Sequence, residues 1–182
     1  TGTSNTAVGA FALDANTTGV NNVAAGYNAL GANSTGDQNV ALGRDTLQAN
    51  TTADNNTAVG YSALLYNTTG TGNSALGKDA LDANTTASWN TAVGVQSLSS
   101  NTTGASNTGI GVNALFTNTT GTLNVAVGEQ ALYNNNANNN TAVGYDALRA
   151  NTTGAGNTAV GYDALDANTS GTYNTAAGYR SL

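Results

Sequence analysis

A unit of seventeen residues repeats along this entire chain, and that period constrains the fold more than any other feature of the sequence. Counted from Asn5, the same asparagine recurs every seventeen residues, with one step of sixteen between Asn124 and Asn140. Glycine stands at the fifth position of every unit and leucine at the ninth, and asparagine stands at the twelfth position of every complete unit. A short fixed period is typical of a stacked repeat in which each unit contacts its neighbours. We therefore predict that residues 1–182 form a single repeat array of eleven coils starting at Asn5.

The array also starts and stops within the repeat. Thr1 and Gly2 hold the positions of the turn before a unit, and Leu182 is the leucine of an unfinished unit. Stacked arrays normally end in atypical capping units, and neither end of this chain resembles one. We expect the sequence to be a window of a longer fibre.

The repeat predicts parallel strands rather than helices or hairpins. Seventeen residues are too few for a pair of helices but accommodate two strands and two turns. The clearest strand runs from Thr57 to Tyr61, and a second covers Leu64 to Thr69. The chain contains no Asn-Gly, Asp-Gly or Gly-Gly pair, the strongest short hairpin signals. The expected fold is therefore an all-β, parallel β-solenoid (β-roll) with seventeen-residue coils.

Equivalent side chains of stacked coils lie above one another, so the sequence predicts ladders along the fibre. The twelfth-position asparagines are expected to bond their neighbours above and below. Within each repeat unit, the residue at position three is small and the residue at position four is apolar, and their side chains lie on opposite faces of the strand. One face is expected to meet the coil's own core and the other a partner chain. Representative ladders are the leucines Leu64, Leu81 and Leu98, the asparagines Asn50, Asn67 and Asn84, and the glycines Gly60, Gly77 and Gly94.

The turn that follows the twelfth position is expected on the outside of the coil. Its glycine is replaced by Ala53 and Ala87 in two coils, so a positive φ is not required there. The one short unit, Asn135 to Asn139, lacks a residue in this same turn. Changes of length are tolerated at surfaces, which places the turn there.

Composition argues against several functional classes. The chain contains no His, Cys, Pro or Met, and its net charge is −6 with only four basic residues. Nucleic-acid binding needs a basic surface, and thiolate or imidazole metal sites need Cys or His. No apolar run approaches the length of a membrane span. We expect no nucleic-acid partner, no membrane insertion of this segment, no cofactor, no metal and no catalytic residue.

The strand motif resembles that of two groups of fibrous proteins. Asn-Thr-Ala-Val-Gly-x-x-Ala, with its Val59-Gly60, Val93-Gly94 and Val143-Gly144 pairs, is similar to the head repeats of trimeric autotransporter adhesins. It looks closer still to the Asn-Thr-Ala-Val-Gly-Tyr arrays of phage tail-fibre-like proteins. The autotransporter resemblance implies a left-handed parallel β-roll, three chains side by side and a role in surface attachment. This chain departs from it by an inserted Leu-x-x-Asn-Thr-Thr segment, which lengthens each coil.

Three kinds of surface residue carry candidate functions. Tyr145, Tyr162 and Tyr179 recur in consecutive coils and predict a stacked aromatic strip, either a glycan-contact surface or, as we favour, a brace for the fibre. Asp146 and Asp163 also stack, but one carboxylate per coil is too few for a calcium site. The Asn-Thr-Thr segments match the N-glycosylation pattern and equally suit a turn with an internal asparagine ladder, the role we favour.

These observations predict a structural and adhesive fibre segment, the shaft of a phage tail fibre or of a bacterial surface adhesin, located outside the cell, on its surface or on the virion. It is expected to be a homotrimer, with a cell-surface glycan as a candidate partner. The alternative is a monomeric ice-binding or glycan-binding β-solenoid. Ice binding is disfavoured because adjacent threonines point to opposite sides and form no Thr-x-Thr grid. An enzyme is the least supported, since the only aberrant coil contains no acid, base or nucleophile arrangement.

Overall fold

The fold is a parallel β-solenoid. The computed structural model describes residues 2–182 and places eleven three-residue strands in one sheet, ordered as in the sequence. Neighbouring strands pair in parallel and in register, so that Ala58 lies between Ala41 and Ala75. The strands are β1 Thr6–Val8, β2 Val23–Ala25, β3 Val40–Leu42, β4 Thr57–Val59, β5 Ser74–Leu76, β6 Thr91–Val93, β7 Thr108–Ile110, β8 Val125–Val127, β9 Thr141–Val143, β10 Thr158–Val160 and β11 Thr175–Ala177. The predicted all-β solenoid with seventeen-residue coils is confirmed.

Each strand ends at the position-five glycine, where the backbone bends. Gly60 has a φ of +137°, and a Cβ added to it would stand 2.5 Å from the carbonyl oxygen of Gly77 in the next coil. The backbone angle and the close approach of the next coil both exclude a side chain. Tyr61 therefore lies beyond the strand, which is shorter than the sequence analysis predicted.

The prediction of a second strand from Leu64 to Thr69 was wrong. Residues 64–69 form turns, and Leu64 adopts a left-handed backbone with a φ of +52°. The leucine of every coil repeats this angle, and positions seven and seventeen are left-handed as well, as at Ser62 and Asn55. Residues other than glycine rarely adopt this conformation, which interrupts the extended backbone that a strand requires.

The core is a narrow column of leucine, alanine and asparagine. Leu64, Leu81 and Leu98 are fully buried and belong to one cluster that runs from coil to coil. The small residues at positions three and eight pack around this leucine column, as Ala58 and Ala63 do in one coil. Because each coil contributes the same few side chains, the core has the same cross-section along the solenoid.

Backbone hydrogen bonds join each coil to the next beyond the strands as well. The N–H of Leu64 donates to the carbonyl of Ala80 at 3.0 Å, and that of Thr68 donates to the carbonyl of Thr85 at 2.9 Å. Backbone N–H and carbonyl groups in the turns, which would otherwise be unpaired, are thus hydrogen-bonded to the coil above or below. This pairing explains how a coil with only three strand residues holds a fixed shape.

Candidate functional site

Two buried asparagines per coil hold the turn that closes it. The Nδ2 atoms of Asn56 and Asn67 both donate to the carbonyl oxygen of Gly70, at 2.9 Å each. Asn67 also donates to Oδ1 of Asn50 at 3.1 Å and accepts from Nδ2 of Asn84 at 2.8 Å. The twelfth-position ladder therefore runs inside the core. The position-one asparagines form a second ladder that the sequence analysis did not assign.

Burial of these amides accounts for the Asn-Thr-Thr segments. The side chain of Asn67 is fully buried and both of its amide atoms are hydrogen-bonded. The hydroxyl of Thr68 donates to the carbonyl of Thr85 at 3.0 Å, while Thr69 is exposed. A glycan on Asn67 would require the amide to leave the core, so the interior coils present no glycosylation site in their folded form.

The short coil interrupts the twelfth-position ladder. The residue it lacks is the exposed second threonine of the turn, in agreement with the predicted surface location. Asn136 replaces the first threonine, and its Oδ1 accepts the backbone N–H groups of Thr119 and Thr120 at 3.0 and 2.9 Å, which in regular coils donate to a backbone carbonyl. Oδ1 of Asn118 is left buried without a donor, because Nδ2 of Asn135 keeps the bond to its own coil, at the carbonyl of Ala137, but makes none to the preceding coil.

The predicted tyrosine strip is a stack of rings. The ring centroids of Tyr145 and Tyr162 are 5.1 Å apart with planes inclined by 13°, and those of Tyr162 and Tyr179 are 5.4 Å apart and inclined by 18°. Both faces of the Tyr162 ring are therefore covered by its neighbours, and the strip presents ring edges and phenol oxygens to solvent. Stacking of this kind stabilises the column, and sugar binding by these three residues stays a prediction.

An arginine extends the same column in earlier coils. The guanidinium of Arg44 lies between the rings of Tyr27 and Tyr61, at 5.6 and 5.9 Å from their centroids. Its Nε is also 3.0 Å from Oδ2 of Asp45. Exposed contacts of these two kinds are each worth about 1 kcal/mol or less. These contacts join side chains of neighbouring coils on the outside of the solenoid.

The carboxylates of the repeat form no ligand set. Burial raises the pKa of Asp146, the charge of Arg149 opposes that rise, and the charge of Asp163 adds to it. Burial also raises the pKa of Asp82. Across residues 2–182, no three acidic side chains gather closely enough to hold a metal ion, and no pocket is found. We therefore assign no chemistry to these residues.

The outer strand face is an uncharged surface that runs along the whole solenoid. It comprises the side chains at positions two and four of β1–β11, while the position-three residue faces the core. No strand contains a charged residue, and Leu76 at position four is 51% exposed. Strand spacing of about 4.8 Å and a rise of about 3.3 Å per residue give this face an area of about 50 Å by 10 Å. The position-four residues are Val8, Ala25, Leu42, Val59, Leu76, Val93, Ile110, Val127, Val143, Val160 and Ala177.

Sequence reasoning missed the exposed rings at position seventeen. Trp89 and Tyr173 project from this position on the turn that precedes a strand, and both are exposed. A signal for them was present, because glycine occupies position seventeen only at Gly72 and Gly156, each one coil before an aromatic residue. The geometry of these pairs is taken up below.

Comparisons with family models, with curated proteins and with solved structures find no match to this chain. The resemblance to fibrous adhesins and tail-fibre-like proteins therefore rests on the strand motif and its period. Between residues 2 and 182 the chain forms no helix that is long and apolar enough to cross a membrane.

Proposed function

We propose that this chain is a segment of an extracellular structural and adhesive fibre, in which three copies pack side by side through the outer strand face. A phage tail fibre and a bacterial surface adhesin are the two settings in which the resembling repeats occur. The observation that carries the proposal is an exposed, uncharged and largely apolar sheet face along the whole described solenoid.

The size and period of the outer strand face fit an interface between copies. Its outline covers about 500 Å² per chain, with an apolar row at position four beside a row at position two that is mostly threonine. A continuous row of exposed apolar side chains is typical of an interaction site. Packing would remove Leu76 and Ile110 from water, and burial of an aliphatic side chain is worth about 1.5–3 kcal/mol. A surface with the same coil spacing over this length is another copy of the same repeat, which favours a homo-oligomer.

A continuous solenoid suits the role of spacer. Hydrogen bonds join adjoining coils in the strands and in the turns, so that a pull along the axis is shared by many bonds. Such a rod holds an attachment tip away from the particle or cell that carries it. Exposed side chains that recur along the rod add weak contacts, and many weak contacts together raise avidity. A cell-surface glycan is the proposed partner of these contacts.

Sedimentation equilibrium of the purified chain tests the assembly. Three chains of 18.0 kDa predict a species of about 54 kDa. The double variant Leu76→Lys, Ile110→Lys places charges on the outer strand face and is expected to give folded monomers. Leu123→Lys is the matched control, because Leu123 is 58% exposed but lies outside this face. A wild-type chain that remains monomeric at the highest concentration reached would rule out the trimer.

The outer strand face also favours a second candidate function, a monomeric ice-binding or glycan-binding solenoid. Thr57 and Val59 belong to an outward Thr-x-Val grid repeated by several strands, which the sequence analysis overlooked because it considered only the Thr-Thr pair. In the Thr-Thr pair, the hydroxyl of Thr68 donates a hydrogen bond to the carbonyl of Thr85 in the next coil. A monomer that produces thermal hysteresis in ice supports this function, whereas a trimer without hysteresis excludes ice binding.

A further inference from the structure

The ring of Trp89 lies flat over a glycine of the preceding coil. A Cβ added to Gly72 would stand 2.5 Å from both Cε3 and Cζ3 of Trp89, and 3.2 Å from Cδ2. Short distances to these three bonded ring atoms place the face of the ring, rather than its edge, over Gly72. The side chain is nevertheless 66% exposed, so the opposite face of the indole is open to solvent.

The same arrangement recurs once within the described chain. Tyr173 covers Gly156, where an added Cβ would stand 2.7 and 2.8 Å from Cδ1 and Cε1 of the ring. Both glycines have left-handed backbones, as the other residues at position seventeen have. The backbone angle alone therefore does not require glycine. What distinguishes Gly72 and Gly156 is the ring above each of them, which any side chain would lift away from the coil.

The surroundings of Trp89 are rigid, polar and uncharged. Its backbone N–H donates to the carbonyl of Thr71 at 3.0 Å, which fixes its main chain on the coil, and the ring packs against Gly72. Ser88 accepts the N–H of Thr71 at 3.0 Å through its hydroxyl oxygen. Positions sixteen and seventeen of the coils on either side hold Thr71, Gly72, Ala105 and Ser106, none of them charged. A ring held in place loses little conformational freedom when a ligand binds.

We infer that Trp89, laid over Gly72, is a stacking platform for a neutral pyranose ring of an oligosaccharide. The C–H face of a pyranose packs on an open aromatic face, and its hydroxyl groups meet the polar side chains of Ser88 and Ser106. Nucleic-acid bases also stack on aromatic rings, but their phosphates would meet a chain of net charge −6 with no basic residue at these positions. The inference deepens the glycan-contact part of the proposed function and rests on it, but it does not require a trimer.

Trp89 is the only tryptophan of the chain, so its fluorescence reports this platform alone. Titration of the purified chain with cellohexaose, chitohexaose or mannohexaose is expected to give a saturable change in emission, with a Kd of about 1 mM for at least one sugar. Gly72→Ser would lift the ring and is expected to weaken that binding severalfold. Serine suits the backbone, because Ser106 occupies the same position with a φ of +59°.

Calorimetry with the same sugars supplies the controls. Trp89→Ala is expected to abolish binding, whereas Tyr66→Ala removes an exposed ring that covers no glycine and is expected to retain it. Unchanged emission with all three sugars at about 10 mM, or equal heats from wild type and Trp89→Ala, would overturn the platform. Sedimentation equilibrium on the same samples separates that outcome from failure of the fibre proposal. The sedimented mass shows whether the chain assembles, whereas tryptophan emission shows whether it binds sugar.

Discussion

The left-handed residues of the coil show how one backbone angle selects different side chains inside and outside the solenoid. An L-residue in this region is disfavoured by about 1–2 kcal/mol, while burial of a leucine contributes about 1.5–3 kcal/mol. Burial therefore outweighs backbone strain at Leu64 and its equivalents. At position seven, where less is buried, residues that tolerate the angle recur instead, such as Asp45, Asp79 and Asn113.

The position-five glycine combines a positive φ with a close approach of the next coil. Gly60→Ala would place a Cβ 2.5 Å from the carbonyl oxygen of Gly77 at a φ of +137°, and is expected to lower the free energy of unfolding by about 1–3 kcal/mol. Gly104→Ala is the matched control, because an added Cβ there also comes close to a carbonyl oxygen, that of Gly121, but position fifteen has no positive φ and already holds alanine at Ala87. Urea denaturation at one protein concentration measures both variants. Equal losses of unfolding free energy in the two variants would show that position five does not require glycine more strongly than position fifteen does.

Asp82 gives the solenoid an unusual response to acid. Burial is the main cause of its raised pKa, against an ordinary value of 3.8, and one carboxylate oxygen is buried without a partner. A folded-state pKa above the unfolded one means that the folded chain binds the proton more tightly, so this group's contribution to stability falls as the pH rises through the raised pKa.

Asp82→Asn is therefore expected to raise the urea midpoint at neutral pH, and the gain should vanish as the pH is lowered below 3.8. Asp166→Asn removes the same charge from position ten of an exposed site and is expected to leave the midpoint unchanged. Urea titrations at neutral and acid pH measure both. A gain from Asp82→Asn that persists unchanged in acid would contradict the burial argument.

At the scale of the element, the strand could be predicted from the sequence and the turns could not. Thr57 to Val59 shows alternation, β-branched residues and a terminating glycine, which are local signals. Leu64 shows no local signal of its left-handed angle, since leucine intrinsically avoids it. The angle is imposed by contacts between coils, and so the second half of the unit was misassigned as a strand. The internal asparagine ladder was predictable because stacking alone aligns equal residues.

The short coil allows the value of that ladder to be measured. Insertion of a threonine after Asn136, combined with Asn136→Thr, restores a seventeen-residue coil and is expected to return Asn135 to the ladder. Oδ1 of Asn118, now buried without a donor, would accept a hydrogen bond worth about 1 kcal/mol. The urea midpoint should rise accordingly. An added threonine after Thr69 is the control, because it lengthens a regular coil and should bring no gain.

At the scale of the whole molecule, stability follows from the stacking of equivalent residues in successive coils. Each coil contacts only its neighbours in the sheet order, so the free energy of folding is close to a sum of coil and interface contributions. Which strand face is buried could not be settled from the sequence, because Ala58 and Val59 are both apolar. The structure settles it: Ala58 is buried in the core, and Val59 lies on the outer strand face.

Removal of one whole coil tests this additive picture. Deletion of residues 56–72 joins Asn55 to Asn73 in phase, so every ladder continues. The variant is expected to fold cooperatively, with a urea m-value lower by about one-tenth, since m scales with the surface exposed on unfolding. Deletion of residues 56–64 is the control of opposite expectation, because it shifts leucines out of their column and asparagines out of both ladders. Circular dichroism and urea titration compare the two. If the out-of-phase variant were as stable as the in-phase one, then the register of equivalent side chains would not be what holds the coils together, and the seventeen-residue period would need another cause.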